Sequence, residues 1–206
     1  MKVAVIDYGV GNLRSVATAL WRAGGEPEIT SDPDAIRRAE RIVLPGVGAA
    51  GAAITRLRGL HLDAALADFR VTGRPFLGIC VGMQLLAEEL LEFGRHRGLG
   101  WMRGVVDRLE ITDDPELRVP HIGWNEIAHT ERGSALLGSS LRERYFYFCH
   151  SYRLTGDEGV AVARTTHGAA FTSAVQFDNV FACQFHPEKS HVAGQKLLER
   201  FLAWRP

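Results

Sequence analysis

Short apolar runs and helically spaced apolar positions alternate along the first half of the chain. Residues 3–6, 41–44 and 75–79 are apolar stretches closed by a polar or turn-forming residue, the pattern of strands buried on both faces. After Gly11, the residues Leu13, Val16, Ala17 and Leu20 recur at helical spacing, and Gly24 and Gly25 supply a stop. Strand and helix therefore alternate into the early nineties of the sequence, and parallel strands need such crossovers. Beyond Gly100 the texture turns β-rich: residues 105–111, 145–149, 160–164 and 181–185 read as strands separated by turn-rich segments, some of them pairing antiparallel. A final amphipathic helix, with Ser190 as N-cap, aligns Leu197, Leu198, Phe201 and Leu202 on one face. The expected fold is α/β with three layers: a mostly parallel central sheet, flanking helices and an added antiparallel β portion. No linker or repeat interrupts the pattern, so residues 1–206 read as one domain.

Charge narrows the partners. The 206 residues carry 24 Lys+Arg against 24 Asp+Glu, a net charge of zero with both signs interspersed. Such a surface has no extended field to gather nucleic acid or an anionic membrane, and neither is an expected partner. The start of the chain is a strand-like run rather than a secretion signal, and no apolar run is long enough to span a bilayer. A soluble, cytoplasmic protein is expected. Its three cysteines, Cys80, Cys149 and Cys183, form neither a CxxC pair nor an even disulfide set, which fits a reducing compartment. No metal or cofactor is expected.

Cys80 stands apart from the other two. It follows the strand at 75–79, has Gly78 and Gly82 on either side, and precedes a helical run over 83–91. Glycines on both flanks permit the sharp strand-to-helix turn that presents a nucleophile, and the helix start offers unpaired N–H groups to an anion. A lone cysteine is more often a buried core residue; the turn position favours a nucleophile here, whereas Cys149 and Cys183 sit in apolar strand patterns and read as structural. A thiol nucleophile needs a base, and the base needs a third group to hold its ring. Among eight histidines, His61 and His96 fall in charged or helical surface sequence and His129 and His167 in polar turns, whereas His186 ends a strand and is followed by Pro187, Glu188 and Lys189. Functional groups in an α/β sheet collect where strands end, so Cys80, His186 and Glu188 form a candidate triad. Gly46, Gly48 and Gly51 satisfy GxGxxG after a strand, but the long helical stretch that follows and the missing acidic residue on the next strand argue against dinucleotide binding. The 45–48 segment serves better as exposed backbone N–H for an oxyanion.

Residues 78–84 (Gly-Ile-Cys-Val-Gly-Met-Gln), Pro45-Gly46-Val47-Gly48 and His186-Pro187-Glu188 resemble the motifs of the class I (triad) glutamine amidotransferases. Residues 7–13, 119–125, 150–152 and 184–190 extend the likeness over essentially the whole chain. Within that class they resemble the glutaminase subunits of imidazole glycerol phosphate synthase. The resemblance implies that Cys80 attacks the side-chain amide of L-glutamine while His186, oriented by Glu188, serves the leaving ammonia. Backbone donors at Val47 or Gly48 and at Val81 would hold the oxyanion, and Gln84, Glu92, Ser151 and Tyr152 would contact the substrate. Glu92 creates a tension: in an unbroken helix it would lie about 18 Å beyond Cys80, so the chain must fold back before it. The resemblance also implies a separate (βα)8-barrel cyclase subunit that receives the ammonia, with Asn12, Trp124 and Lys189 as contact candidates; ordinary core packing competes for Trp124. The small glutaminase that feeds pyridoxal phosphate synthesis is a related alternative, against which residues 120–125 speak. A regulatory subunit without turnover is another, against which the complete triad speaks.

Overall fold

The structure, a computed structural model, describes residues 1–111, 117–156 and 159–206. In chain order its elements are β1 (Lys2–Ile6), α1 (Leu13–Arg22), β2 (Glu26–Thr30), α2 (Pro33–Arg38), β3 (Arg41–Gly46), α3 (Ala50–Gly59), α4 (Leu62–Arg70), β4 (Phe76–Cys80), α5 (Val81–Gln84), β5 (Glu89–Leu90), β6 (His96–Arg97), β7 (Val105–Arg108), β8 (His121–Glu126), β9 (Ala128–His129), β10 (Tyr145–His150), β11 (Tyr152–Thr155), β12 (Ala161–His167), β13 (Ala169–Phe177), β14 (Val180–Cys183) and α6 (His191–Ala203). Neighbours in the order β2-β1-β3-β4-β14 pair in parallel. The sheet then continues through β13, β11 and β7 with antiparallel pairing, while β8 and β10 form a separate antiparallel ribbon.

The chain moves one way across the sheet from β1 to β2 and the other way from β2 to β3. Right-handed crossovers therefore place α1 and α2 on opposite faces. Helix α1 packs with α6, and α4 packs with α2 and α3. Covered on both sides, β3, β4 and β14 bury every residue, which is why they read as unbroken apolar runs. Among the described residues no helix is long and apolar enough to cross a membrane.

Several elements depart from the sequence reading. Strand β2, Glu-Pro-Glu-Ile-Thr, lies at the sheet edge with little burial, so no apolar periodicity marks it. Helix α2 and strands β8, β11 and β13 also went unpredicted. The helical stretch after Gly48 is two helices, α3 and α4, broken where His61 takes φ +56°. The strand expected over 105–111 ends at Arg108, and the one expected over 181–185 at Cys183. The largest correction concerns residues 83–91. The helix after Cys80 is the single turn α5, and the apolar residues Leu85, Leu86 and Leu90 are buried by a tight return whose amides bond across to Leu85, Leu86, Ala87 and Gly104 carbonyls rather than along a helix. Apolar spacing alone does not distinguish these two ways of burying the same side chains.

Candidate active site

The carboxyl ends of β3, β4 and β14 lie side by side, with Gly46 opposite Cys80 and Ile79 opposite Cys183. Beyond them opens a cavity of about 400 Å³ whose walls include Val47, Gly48, Cys80, Val81, Gln84, Glu92, Cys149, His150, Ser151, Tyr152, His186 and Lys189. Residues from opposite ends of the sequence thus share one space where the strands stop.

Cys80 takes φ +54° and ψ −111°, a conformation that side-chain-bearing residues rarely adopt, at the junction of β4 and α5. The turn is tight because Gly82 sits directly over the Leu44 carbonyl, where any Cβ would collide. A one-turn helix carries only a fraction of a macrodipole, so negative charge on the sulfur relies on discrete partners. Gln184 donates from Nε2 to Cys80 Sγ at 3.5 Å, and the sulfur lies 4.0 Å from the Cys149 carbonyl oxygen. His186 lines the same cavity. After β14 the His186 N–H donates to the Tyr147 carbonyl, and a turn at Pro187–Lys189 brings Glu188 back so that His186 Nδ1 and Glu188 Oε1 meet at 2.8 Å. Burial disfavours the charged ring, but hydrogen bonds and charge from Cys80 and Glu188 outweigh it and push the His186 pKa up to about 10. The ring is therefore a ready proton carrier beside the sulfur. Ser190 does begin α6, yet its hydroxyl donates to the His186 carbonyl at 2.6 Å and accepts from the Tyr147 N–H at 2.9 Å instead of capping the helix.

The 45–48 loop is anchored by Tyr8, fully buried, whose hydroxyl donates to the Pro45 carbonyl at 2.7 Å. Burial, with Cys80 nearby, drives the Tyr8 hydroxyl pKa well up, so it stays a donor. Glu92 reaches the same cavity because the chain folds back after α5; its Oε2 accepts the Ala50 N–H at the start of α3 (2.9 Å), and burial raises its pKa. Gln84 ends α5, one turn beyond Cys80, and lines the cavity. It is buried, and its amide nitrogen already donates to the Tyr152 carbonyl (3.1 Å) and to Gln184 Oε1 (3.0 Å). Likewise the Ser151 carbonyl accepts from the Leu109 N–H and the Tyr152 carbonyl also takes a bond from His150 Nδ1. Ser151 and Tyr152 both line the cavity.

A profile of the family described as Glutamine amidotransferase class-I matches residues 4–204. The chain belongs to that family. It is 47% identical to the imidazole glycerol phosphate synthase subunit HisH of Zymomonas mobilis over 99% of its own length and 96% of the relative's. The HisH subunits of Rhodospirillum rubrum (45%, covering 100% of both chains) and Aquifex aeolicus (46%, 98% and 96%) are similarly related. The fold matches PurLQS from Thermotoga maritima (TM-score 0.72, 18% identity, 98% and 97% covered) and a crystal structure described simply as a glutamine amidotransferase (TM-score 0.71, 20% identity, 98% and 97%).

Outside the cavity, this class I amidotransferase presents Trp124 on the outer face of the β8–β10 ribbon. Core packing does not hold it: the indole is 47% exposed and stacks on His191 at 5.1 Å. Lys189 lies over the Tyr147 ring, and exposed Asn12 follows Gly11, which rests against Pro45 of the loop. Cys149, assigned to a structural role by its strand pattern, is exposed and lines the cavity, because it sits on the outward-facing phase of β10. Nor is His167 a turn residue; it ends β12 and stacks on His121 at 4.1 Å. His61 sits at the helix break, while His96 and His129 lie in β6 and β9.

His121 and His150, both buried in the amidotransferase, meet at 3.1 Å, and burial lowers their pKa values to about 4 and about 3. Unfolded, each takes a proton near pH 6.5, so between there and the folded values the unfolded chain binds more protons and stability falls as pH falls. At pH 5 the loss is about 2 kcal/mol per histidine. Urea unfolding at pH 7 and pH 5 is expected to show it, and a His121→Asn variant to show a shallower pH slope; equal slopes would remove this pair as the cause.

Proposed function

We propose that this chain is the glutaminase subunit of an imidazole glycerol phosphate synthase, hydrolysing L-glutamine in the cytoplasm and passing ammonia to a separate (βα)8-barrel cyclase. The cyclase makes imidazole glycerol phosphate and aminoimidazole carboxamide ribotide in histidine biosynthesis. The reading rests above all on the 2.8 Å bond that fixes the His186 ring beside Cys80 at the floor of the cavity, in a chain whose relatives carry that subunit's name over their full length.

The sulfur of Cys80 attacks the glutamine side-chain carbonyl carbon. Negative charge moves to the carbonyl oxygen, which backbone N–H groups at Val47 or Gly48 and at Val81 stabilise. His186 gives a proton to the amide nitrogen, the C–N bond breaks, and ammonia leaves a glutamyl thioester on Cys80. The now neutral ring takes a proton from water as the water adds to the thioester. Collapse of that second adduct breaks the C–S bond and expels the Cys80 sulfur as the anion beside the protonated ring, and the freed side-chain carboxyl gives its proton to water as glutamate leaves. Glu188 holds the ring and supports its charge throughout. Glu92 receives the substrate's ammonium end, and Gln84, Ser151 and Tyr152 shape the wall around it. Asn12, Trp124 and Lys189 meet the cyclase, whose docking keeps the ammonia from water.

Glutamate release measured with the cyclase and its ribonucleotide substrate tests the reading. Glutamate and imidazole glycerol phosphate are expected to appear in equal amounts. A preparation that binds the cyclase yet releases no glutamate from glutamine would overturn it.

A further inference from the structure

Gln184 follows β14 directly, is fully buried, and touches the nucleophile. Which end of its amide faces the sulfur is decided by a backbone carbonyl. The Tyr152 carbonyl can only accept, so the nearby end of the Gln84 amide, 3.1 Å away, is its nitrogen. That same nitrogen lies 3.0 Å from the Gln184 amide and must meet its oxygen. The remaining end of Gln184, the NH2, therefore points at Cys80 Sγ, 3.5 Å away. His150 reinforces the anchor: its Nδ1–H also donates to the Tyr152 carbonyl (2.8 Å), leaving its Nε2 to accept from His121 (3.1 Å). No rotation of the Gln184 amide preserves these bonds and turns an oxygen toward the sulfur.

We propose that Gln184 is a further catalytic residue, an oriented donor that stabilises the Cys80 sulfur as an anion and above all as the group expelled when the thioester is hydrolysed. A donor bonds far more strongly to a thiolate than to a thioester sulfur. It thus costs little to lose when the C–S bond has formed and gains strength as that bond breaks. It also takes over what a longer helix after Cys80 would have supplied. The proposal rests on the glutaminase reading for its kinetic consequence, but the contact with sulfur is independent of substrate.

The test uses the full chain, wild type and Gln184→Met, a side chain of matching length without the donor. With the cyclase and glutamine, kcat is expected to fall about 10- to 100-fold while kcat/KM falls less than about threefold, and intact mass shows glutamylated enzyme accumulating. Equal losses in kcat and kcat/KM without acyl-enzyme would overturn the proposal. The second readout needs no glutamine: Cys80 alkylation by iodoacetamide, followed by peptide mass against pH. The ionisable groups around the sulfur are Tyr8, Cys183, His186 and Glu188, with Glu92, Cys149, His150, Tyr152 and Lys189 in the cavity wall. All are retained in the variant, so an alkylation midpoint displaced upward by about one unit reads the missing donor; coincident profiles would overturn it. Should wild type release no glutamate, the functional reading fails while the alkylation profiles still judge Gln184. If Gln184→Met does not fold, Gln184→Glu keeps the shape and the oxygen facing Gln84 but sets a carboxylate oxygen against the sulfur, and is expected to displace the midpoint further in the same direction.

Discussion

Cys80→Ala is expected to abolish glutamate release, by about 10⁴-fold or more, while the complex with the cyclase still makes imidazole glycerol phosphate from added ammonium. The substitution removes one sulfur and leaves the backbone demand unchanged, since alanine must bear the same φ of +54° as cysteine. Folding and docking of the subunit should therefore survive, and ammonium enters the cyclase reaction beyond the step that Cys80 performs. The two activities are measured on one preparation, so loss of both would indicate a broken complex rather than a missing nucleophile. Wild-type glutamate release by the alanine variant would remove Cys80 from the mechanism.

His186→Asn is expected to slow both glutamate release and covalent labelling by a reactive glutamine mimic by about 10³-fold. Asparagine can still bond but cannot carry the proton to ammonia. Glu188→Gln should give an intermediate loss with a diagnostic pH signature. The carboxylate is one of the partners that holds His186 up at about 10, so its neutralisation lets the ring pKa fall. The protonated ring is the form that serves the leaving nitrogen, and with a lower pKa it is depleted at lower pH. The alkaline limb of the kcat profile should accordingly move to lower pH. A limb that stays in place while kcat falls would mean that Glu188 only packs against the ring.

The buried parallel strands were legible because each is apolar throughout, and Cys80 was legible because two glycines frame it at the end of one of them. Glu188 could be paired with His186 because Pro187 forces a turn between them, and the 2.8 Å bond has the form that spacing suggests. Edge strand β2 could not be read, since an element with one neighbour and exposed faces has no apolar signature. Gln184, part of the 184–190 motif, was given no role of its own although a signal existed. It is a polar residue in an otherwise apolar run, two positions before His186, and the alternation of extended chain sets both toward the same side. Glu92 looked too distant because apolar spacing after Cys80 suggested a helix; the return after one turn brings it to the cavity.

By itself the order of residues determined the α/β class, the turn that holds Cys80 and the local His186–Glu188 pair, because each depends on neighbours a few positions apart. The tertiary structure alone decided that α5 stops after a turn, that Gln84 and the 151–152 carbonyls are committed within the protein, and that Gln184 faces the sulfur with its NH2. These are matters of which donor meets which acceptor across strands distant in the chain. Hydrogen-bond direction propagates from a carbonyl that can only accept, and no local pattern of residues records where that carbonyl lies.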